Sequence, residues 1–144
     1  MRRGMGAIAF VGLAAMVNPA LAHPICTTLA DLEVTNEDID QKFAMPDRSA
    51  HAAGCVVSLN LDGGRSLHCI WRFDYRAANA KKAFEILVAK VAACGDVAEQ
   101  LDQGVNHPDS YDLRQFTLQD RGVAVSLKDK GALQQTLVFL TVKD

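Results

Sequence analysis

The clearest pattern in this chain is an alternation of apolar and polar residues in two neighbouring segments, 55–61 and 67–75. In the second segment the residues that share one face are apolar or aromatic: Leu67, Cys69, Trp71, Phe73 and Tyr75. Successive side chains of a β-strand point to opposite faces of a sheet, so this period of two predicts two strands. Residues 62–64, Asp-Gly-Gly, lie between the strands and favour a turn. The pattern predicts a β-hairpin with one strongly apolar face.

A longer period follows the hairpin. Between residues 77 and 94 apolar side chains recur every three or four positions, namely Ala80, Phe84, Leu87, Val88, Val91 and Cys94. This spacing places them along one side of an α-helix. Gly95 comes next, and we expect it to end the helix in a left-handed conformation. The apolar stripe predicts that the helix packs on the apolar face of the hairpin.

The remaining elements are shorter. Strands are predicted at 111–119, 123–128 and 133–142, joined by turns short enough to make neighbouring strands antiparallel. A short N-terminal helical segment is predicted within 27–43, and 96–110 is predicted to be a loop whose first part can form a helical turn. The order β-β-α-β-β-β predicts an α+β fold, an antiparallel sheet of about five strands with one long helix packed on one face.

The start of the chain predicts export. Residues 1–22 combine two arginines, an 11-residue apolar run and a final small-x-small sequence, which is the pattern of a signal peptide cleaved between Ala22 and His23. The apolar run is too short for a transmembrane helix, which needs about 20 residues. We therefore expect residues 23–144 to form a single exported domain, in the periplasm or the medium, without a transmembrane segment.

The charge of the exported part limits the classes of partner. The whole chain has 15 basic and 17 acidic side chains, a net charge of −2. Removing the two arginines of the signal peptide leaves 13 basic side chains against 17 acidic ones. Nucleic acids and acidic lipid surfaces are bound mainly through clustered Lys and Arg, and the sequence has no such cluster. We therefore expect no nucleic-acid partner.

All four cysteines, at positions 26, 55, 69 and 94, lie in the predicted exported part. An even number of cysteines in an oxidising compartment predicts two disulfides. In a hairpin whose loop is residues 62–66, Cys55 and Cys69 would lie about 13 Å apart, whereas a disulfide needs Cα atoms within about 7 Å. The end of the helix would return toward the start of the second strand. We therefore expect the pairs Cys69–Cys94 and Cys26–Cys55.

His23 supplies one specific chemical hypothesis. After cleavage it would carry a free α-amino group beside its imidazole, and these two nitrogens can chelate one copper ion. A second histidine, His51, His68 or His107, could complete the site. This resembles the histidine brace of copper-dependent polysaccharide monooxygenases, and the resemblance implies a periplasmic copper-binding protein as an alternative function. The simpler interpretation is a terminal histidine that follows the cleavage site, because the sequence brings no other histidine close to it.

A catalytic set is not evident. His107, Asp109 and Ser110 are the residue types of a hydrolytic triad, but such triads assemble from distant segments and these are ordinary loop residues. A small hydrolase that uses a loop histidine remains a second alternative. The acidic residues between 31 and 40 lack the spacing of a calcium loop and suit a helix start.

The second face of the hairpin offers the best candidate for binding, because the helix is expected to cover the first. On this face we expect five polar residues: Ser58, Asn60, His68, Arg72 and Asp74. Ser126 and Lys128 can join them from a later strand. The sequence therefore predicts an exported, disulfide-stabilised binding protein that contacts a macromolecule or a ligand through this face, without catalysis.

Overall fold

The structure, a computed structural model, describes residues 24–32, 43, 51–99 and 111–144. The described residues form α1 (Pro24–Asp31), β1 (His51–Leu59), β2 (Arg65–Asp74), α2 (Ala78–Ala92), β3 (Asp96–Glu99), β4 (Tyr111–Leu118), β5 (Arg121–Lys130) and β6 (Gln135–Lys143). A short 3-10 helix, Gly131–Leu133, precedes β6.

The strands form one sheet in the order β1-β2-β6-β5-β4-β3, and every neighbouring pair is antiparallel. Helix α2 packs on one face of this sheet, against β5, β6 and β2. The predicted α+β fold is therefore confirmed. The sheet has one strand more than expected, because Asp96–Glu99 pairs with β4 where a loop was predicted. A segment of four residues is too short to show a hydrophobic period, so no sequence pattern indicated this strand. Its conformation is set by pairing with β4.

The core lies between α2 and the sheet. Trp71 and Phe73 of β2 are buried there, and so are Phe84 and Leu87 of α2. The ring of Phe43 meets Trp71 edge to face, with the centroids 5.5 Å apart. The aromatic residues of β2 are thus core residues, and burial of such large side chains contributes strongly to stability.

Gly95 does not end the helix in the predicted way. Positive φ among the described glycines occurs only at Gly63, and Ala93 after the helix is right-handed. The reason for a glycine at 95 is space, because a Cβ there would lie 2.5 Å from the backbone oxygen of Thr117. Gly95 therefore lets the chain leave α2 and pass close to β4.

The register of the first hairpin also differs from the prediction. The loop is residues 60–64, and it is closed by a hydrogen bond of 2.8 Å from the Asn60 N–H to the Gly64 carbonyl. The Asn60 side chain accepts a second bond of 2.7 Å from the Ser66 hydroxyl. Asn60 is therefore a loop residue, and Leu59 pairs with Arg65. Leu61, predicted to be the last strand residue, lies fully exposed in the loop.

This register changes the disulfides. Cys55 and Cys69 lie directly opposite each other, with Cα atoms 4.0 Å apart, and are bonded. Cys26 of α1 is bonded to Cys94 at the end of α2, with Cα atoms 5.3 Å apart. Two disulfides were predicted and two are present, but the predicted pairs Cys26–Cys55 and Cys69–Cys94 are wrong. The error came from placing the hairpin loop two residues too late, which moved Cys55 away from its partner.

Candidate functional site

The face of the sheet opposite α2 is the candidate site, and no helix of the described residues lies over it. The strand pairing arranges its side chains in rows that cross β2, β6, β5 and β4 in turn. We call one row the cation row; it consists of Arg72, Leu137, Lys128 and Tyr111. The next row is the apolar row; it consists of Ile70, Phe139, Ser126 and Leu113.

Lys128 is the best-positioned charge on this open face. Its Nζ lies 4.9 Å from the centroid of the Tyr111 ring and 5.4 Å from that of Phe139. A cation over an aromatic ring is attracted by the ring's quadrupole, and two rings restrict the ammonium more than one. Phe139 belongs to the apolar row, so these contacts hold the Lys128 ammonium where the two rows meet.

A shallow groove runs along this part of the face. It lies over β4, β5 and β6, has a volume of about 520 Å³, and extends from Tyr111 and Lys128 toward Lys143. Leu113, Ala124 and Phe139 supply apolar surface in it. Sites for small molecules are commonly 300–1,000 Å³ and combine apolar walls with a few polar groups. The groove has the size and the lining of such a site.

The open face is more basic than the chain as a whole. Besides Lys128 it carries Arg72 and Lys143, and none of the three forms an ion pair within the described residues. Asp74 lies on the same face, two residues beyond Arg72 along β2, so Arg72 separates it from the apolar row. A chain with a net charge of −2 thus concentrates unpaired positive charge on one surface. Electrostatic complementarity favours a negatively charged partner there.

The structure places most of the predicted binding-face residues together. Ser58, His68, Arg72 and Asp74 lie on the open face, whereas Asn60 lies in the hairpin loop. The His68 ring nitrogen Nδ1 lies 3.4 Å from the Thr141 hydroxyl. Ser126 and Lys128, expected from a later strand, are on the same face.

Sequence reasoning missed the apolar part of the face. It described the surface as polar, but the half-buried apolar residues Ile70, Phe139 and Leu113 lie in one row across it, with Ser126 between the last two. A signal was available, because Leu137, Val138, Phe139 and Leu140 are consecutive apolar residues. A run of this kind is typical of a central strand with apolar side chains on both faces.

A second recess lies on the other side of the sheet, beside the start of α2. It has a volume of about 330 Å³ and is lined by Phe84 and Leu127 together with charged residues. The buried Asp129 carboxylate accepts a hydrogen bond of 2.6 Å from the Thr136 hydroxyl and one of 3.3 Å from Arg76 Nε. The Arg76 backbone N–H in turn donates to Thr136 Oγ1 at 2.8 Å. These polar groups are hydrogen-bonded to one another, and we infer that the network is structural: it fixes the turn between β2 and α2 against β5 and β6.

The other candidate chemistry lies outside the described residues. This applies to His23, to the predicted signal peptide, and to the loop residues His107, Asp109 and Ser110. The copper-binding and hydrolase alternatives therefore stay predictions. Within the described ranges, no three His, Cys, Asp or Glu side chains are grouped in a way that could hold a metal ion. None of the helices described is long and apolar enough to cross a membrane.

Comparison with known proteins adds little. No family model and no curated protein matches the sequence. Among solved structures, the crystal structure of CalU16 from Micromonospora echinospora is similar to 65% of this chain and 70% of its own, at 13% sequence identity and a TM-score of 0.33. A likeness at this level supports no conclusion about function, so the geometry of the open face has to carry it.

Proposed function

We propose that this chain is an exported binding protein that holds a ligand or partner on the open face of its sheet. Two disulfides support an oxidising compartment, because such bonds persist mainly outside the cytoplasm. The predicted signal peptide points to the same compartment, the periplasm or the medium. The observation that carries the proposal is the Lys128 ammonium held between two aromatic rings beside an apolar row that none of the described helices covers.

A merely solvated face would have a different composition. In antiparallel sheets that face water on one side, the wet face is normally polar. Here Ile70 and Phe139 are direct neighbours and Leu113 lies in the same row beyond Ser126, all three only partly buried, and apolar surface on a water-facing side is typical of interaction sites. Three strands of one sheet hold these side chains, and the Cys55–Cys69 bond joins the edge strand β1 to β2. A rigid face of this kind binds with little ordering cost.

The proposal is tested with a neutral fluorescent probe, N-phenyl-1-naphthylamine, whose emission rises in apolar sites. We expect the purified protein to bind the dye, Phe139→Ser and Leu113→Ser each to lose at least 80% of the signal, and Leu61→Ser to retain it. Leu61 is the matched control because it is apolar and fully exposed but lies in the hairpin loop. Thermal unfolding monitored by circular dichroism would verify that each variant is folded.

Two results would overturn the proposal. One is an absence of dye binding to the unmodified protein. The other is an equal loss of signal in Leu61→Ser and in the two face variants, which would mean that the dye reports exposed apolar surface in general. Having two face variants keeps the test decisive if one of them fails to fold.

A further inference from the structure

The two rows of the open face differ in chemistry, and this difference indicates a class of ligand. Arg72 and Lys128 are separated by one strand, with Leu137 between them. Neighbouring strands lie about 4.8 Å apart, so the two Cα atoms are roughly 10 Å apart. The Arg72 side chain is long enough to reach over Leu137 toward the Lys128 ammonium, which lies beside the Tyr111 and Phe139 rings, and Leu137 has no polar group to pair with either charge.

The apolar row begins one step along the strands from these cations. Successive residues on one face of a strand are two positions apart, which corresponds to about 7 Å. This is the distance from Arg72 to Ile70 along β2 and from Leu137 to Phe139 along β6. Ile70, Phe139 and Leu113 are each half-buried, so part of each side chain is still exposed. Phe139 and Leu113 line the groove, and Ile70 lies next to Phe139 on β2. A molecule lying across both rows would meet positive charge at one end and apolar surface along the rest.

The charges on the face favour an anion at that end. Neither Arg72 nor Lys128 has a carboxylate partner within the described residues. Asp74, the acidic residue on the same strand, lies on the side away from the apolar row. A guanidinium can bind both oxygens of a carboxylate, and the ammonium of Lys128 is already positioned by its two rings.

We propose that the open face binds a small, free amphiphilic carboxylate, with its carboxylate between Arg72 and Lys128 and its apolar part on the apolar row. This inference rests on the proposed function and specifies its ligand. The groove of about 520 Å³ contains Lys128, Phe139 and Leu113 and suits the apolar part of one small molecule, whereas Arg72 lies outside the groove, across Leu137 from Lys128. Burial of the apolar part against Phe139 supplies affinity, and the two cations supply selectivity for the charged end.

The experiment compares probes that share one alkyl chain. Dodecanoate, dodecan-1-ol and dodecyltrimethylammonium, each below its aggregation concentration, would compete with the neutral dye for the unmodified protein. We expect dodecanoate to displace the dye at a concentration at least tenfold lower than dodecan-1-ol, and the cation to be the weakest. Vesicles of phosphatidylglycerol serve as a fourth arm, because they present anionic groups on a lipid surface.

Charge-removing variants locate the anion. Arg72→Gln and Lys128→Gln should each weaken dodecanoate binding about tenfold and so remove most of the preference for dodecanoate over dodecan-1-ol. Lys82→Gln is the matched control, since Lys82 is exposed on α2 and its substitution removes the same charge. We expect Lys82→Gln to bind dodecanoate like the unmodified protein.

The outcomes separate this inference from the proposed function. If dodecan-1-ol and dodecanoate displace the dye equally, the carboxylate assignment is wrong while the binding face stands. If the protein binds vesicles but not dodecanoate, the ligand is a membrane surface and the inference fails. If Lys82→Gln weakens dodecanoate as much as Lys128→Gln does, the effect is one of total charge and the assigned position is wrong. If neither the dye nor any dodecyl probe binds, the proposed function fails as well.

Discussion

The two disulfides should contribute unequally to stability, because they close loops of very different length. Cys26–Cys94 spans 68 residues, whereas Cys55–Cys69 spans 14. In the chain-entropy model a longer loop restricts the unfolded chain more, which corresponds to about 4.4 kcal/mol for the first bond and about 3 kcal/mol for the second at 25 °C. We therefore expect removal of Cys26–Cys94 to destabilise the protein more, by about 1.4 kcal/mol.

The comparison uses Cys26→Ala/Cys94→Ala and Cys55→Ala/Cys69→Ala. All four cysteines are buried, so the loss of packing from the truncated side chains is similar in the two variants. Urea unfolding of each variant and of the unmodified protein gives the free energies of unfolding. An equal loss in the two variants, or a larger loss for Cys55→Ala/Cys69→Ala, would refute the loop-length argument.

The same preparation allows a direct check of the pairing. Trypsin cleaves after Lys and Arg, and it places each cysteine in a different peptide. Without reduction, we expect peptide 49–65 to be joined to 66–72, and peptide 91–114 to be joined to the peptide that contains Cys26. A disulfide between peptides 66–72 and 91–114 would show that the pairing described above is wrong. The predicted contributions of the two bonds to the free energy of unfolding would then no longer apply.

Three further substitutions test the packing, the buried network and the pH dependence. Gly95→Ala should destabilise the protein by about 1–3 kcal/mol in urea unfolding, because the added Cβ has no space. Gly54→Ala is the control: the space around Gly54 is open, and its substitution should change stability by less than about 0.5 kcal/mol. Similar effects at both positions would contradict the close-approach explanation. Thr136→Val should cost about 1–3 kcal/mol, because the buried Asp129 carboxylate loses a hydrogen-bond donor; an unchanged unfolding midpoint would argue against the network. Burial lowers the pKa of Lys90 below its ordinary value of 10.5. In the alkaline range below that value the unfolded chain therefore holds the Lys90 proton more tightly than the folded protein does. The stability of the unmodified protein relative to Lys90→Met should rise with pH in that range. Urea unfolding over a pH series would show this, and a difference that falls with pH would contradict it.

The elements with a clear local period were well predicted. The alternation at 67–75 corresponds to β2, Arg65–Asp74, and the stripe at 77–94 corresponds to α2, Ala78–Ala92. Each pattern repeats several times within one segment, so it can be recognised without knowing what the segment packs against. β3 could not be recognised in this way, because it has four residues and owes its conformation to pairing with β4.

The candidate site was predicted only in part. Arg72 and Lys128 could each be assigned to the second face from the alternation of their own strands. Their placement on either side of Leu137 depends on β6 lying between β2 and β5. The two strands are more than 40 positions apart in the chain, and no local pattern records that β6 inserts between them. The assembly of the apolar row depends on the same strand order, although the apolar run 137–140 already indicated that β6 has apolar side chains on both faces.

The sequence by itself determined the strands other than β3, the long helix with its apolar stripe, the presence of two disulfides and most of the polar residues on the second face of the hairpin. The tertiary structure decided the hairpin register, the disulfide partners, the central position of β6 and the meeting of the two rows on the open face. The physical reason is the range of the interactions. Periodicity depends on residues a few positions apart, whereas register and strand order depend on loop closure and on cross-strand contacts between distant segments. Those contacts bring Arg72, Lys128 and Phe139 onto one surface.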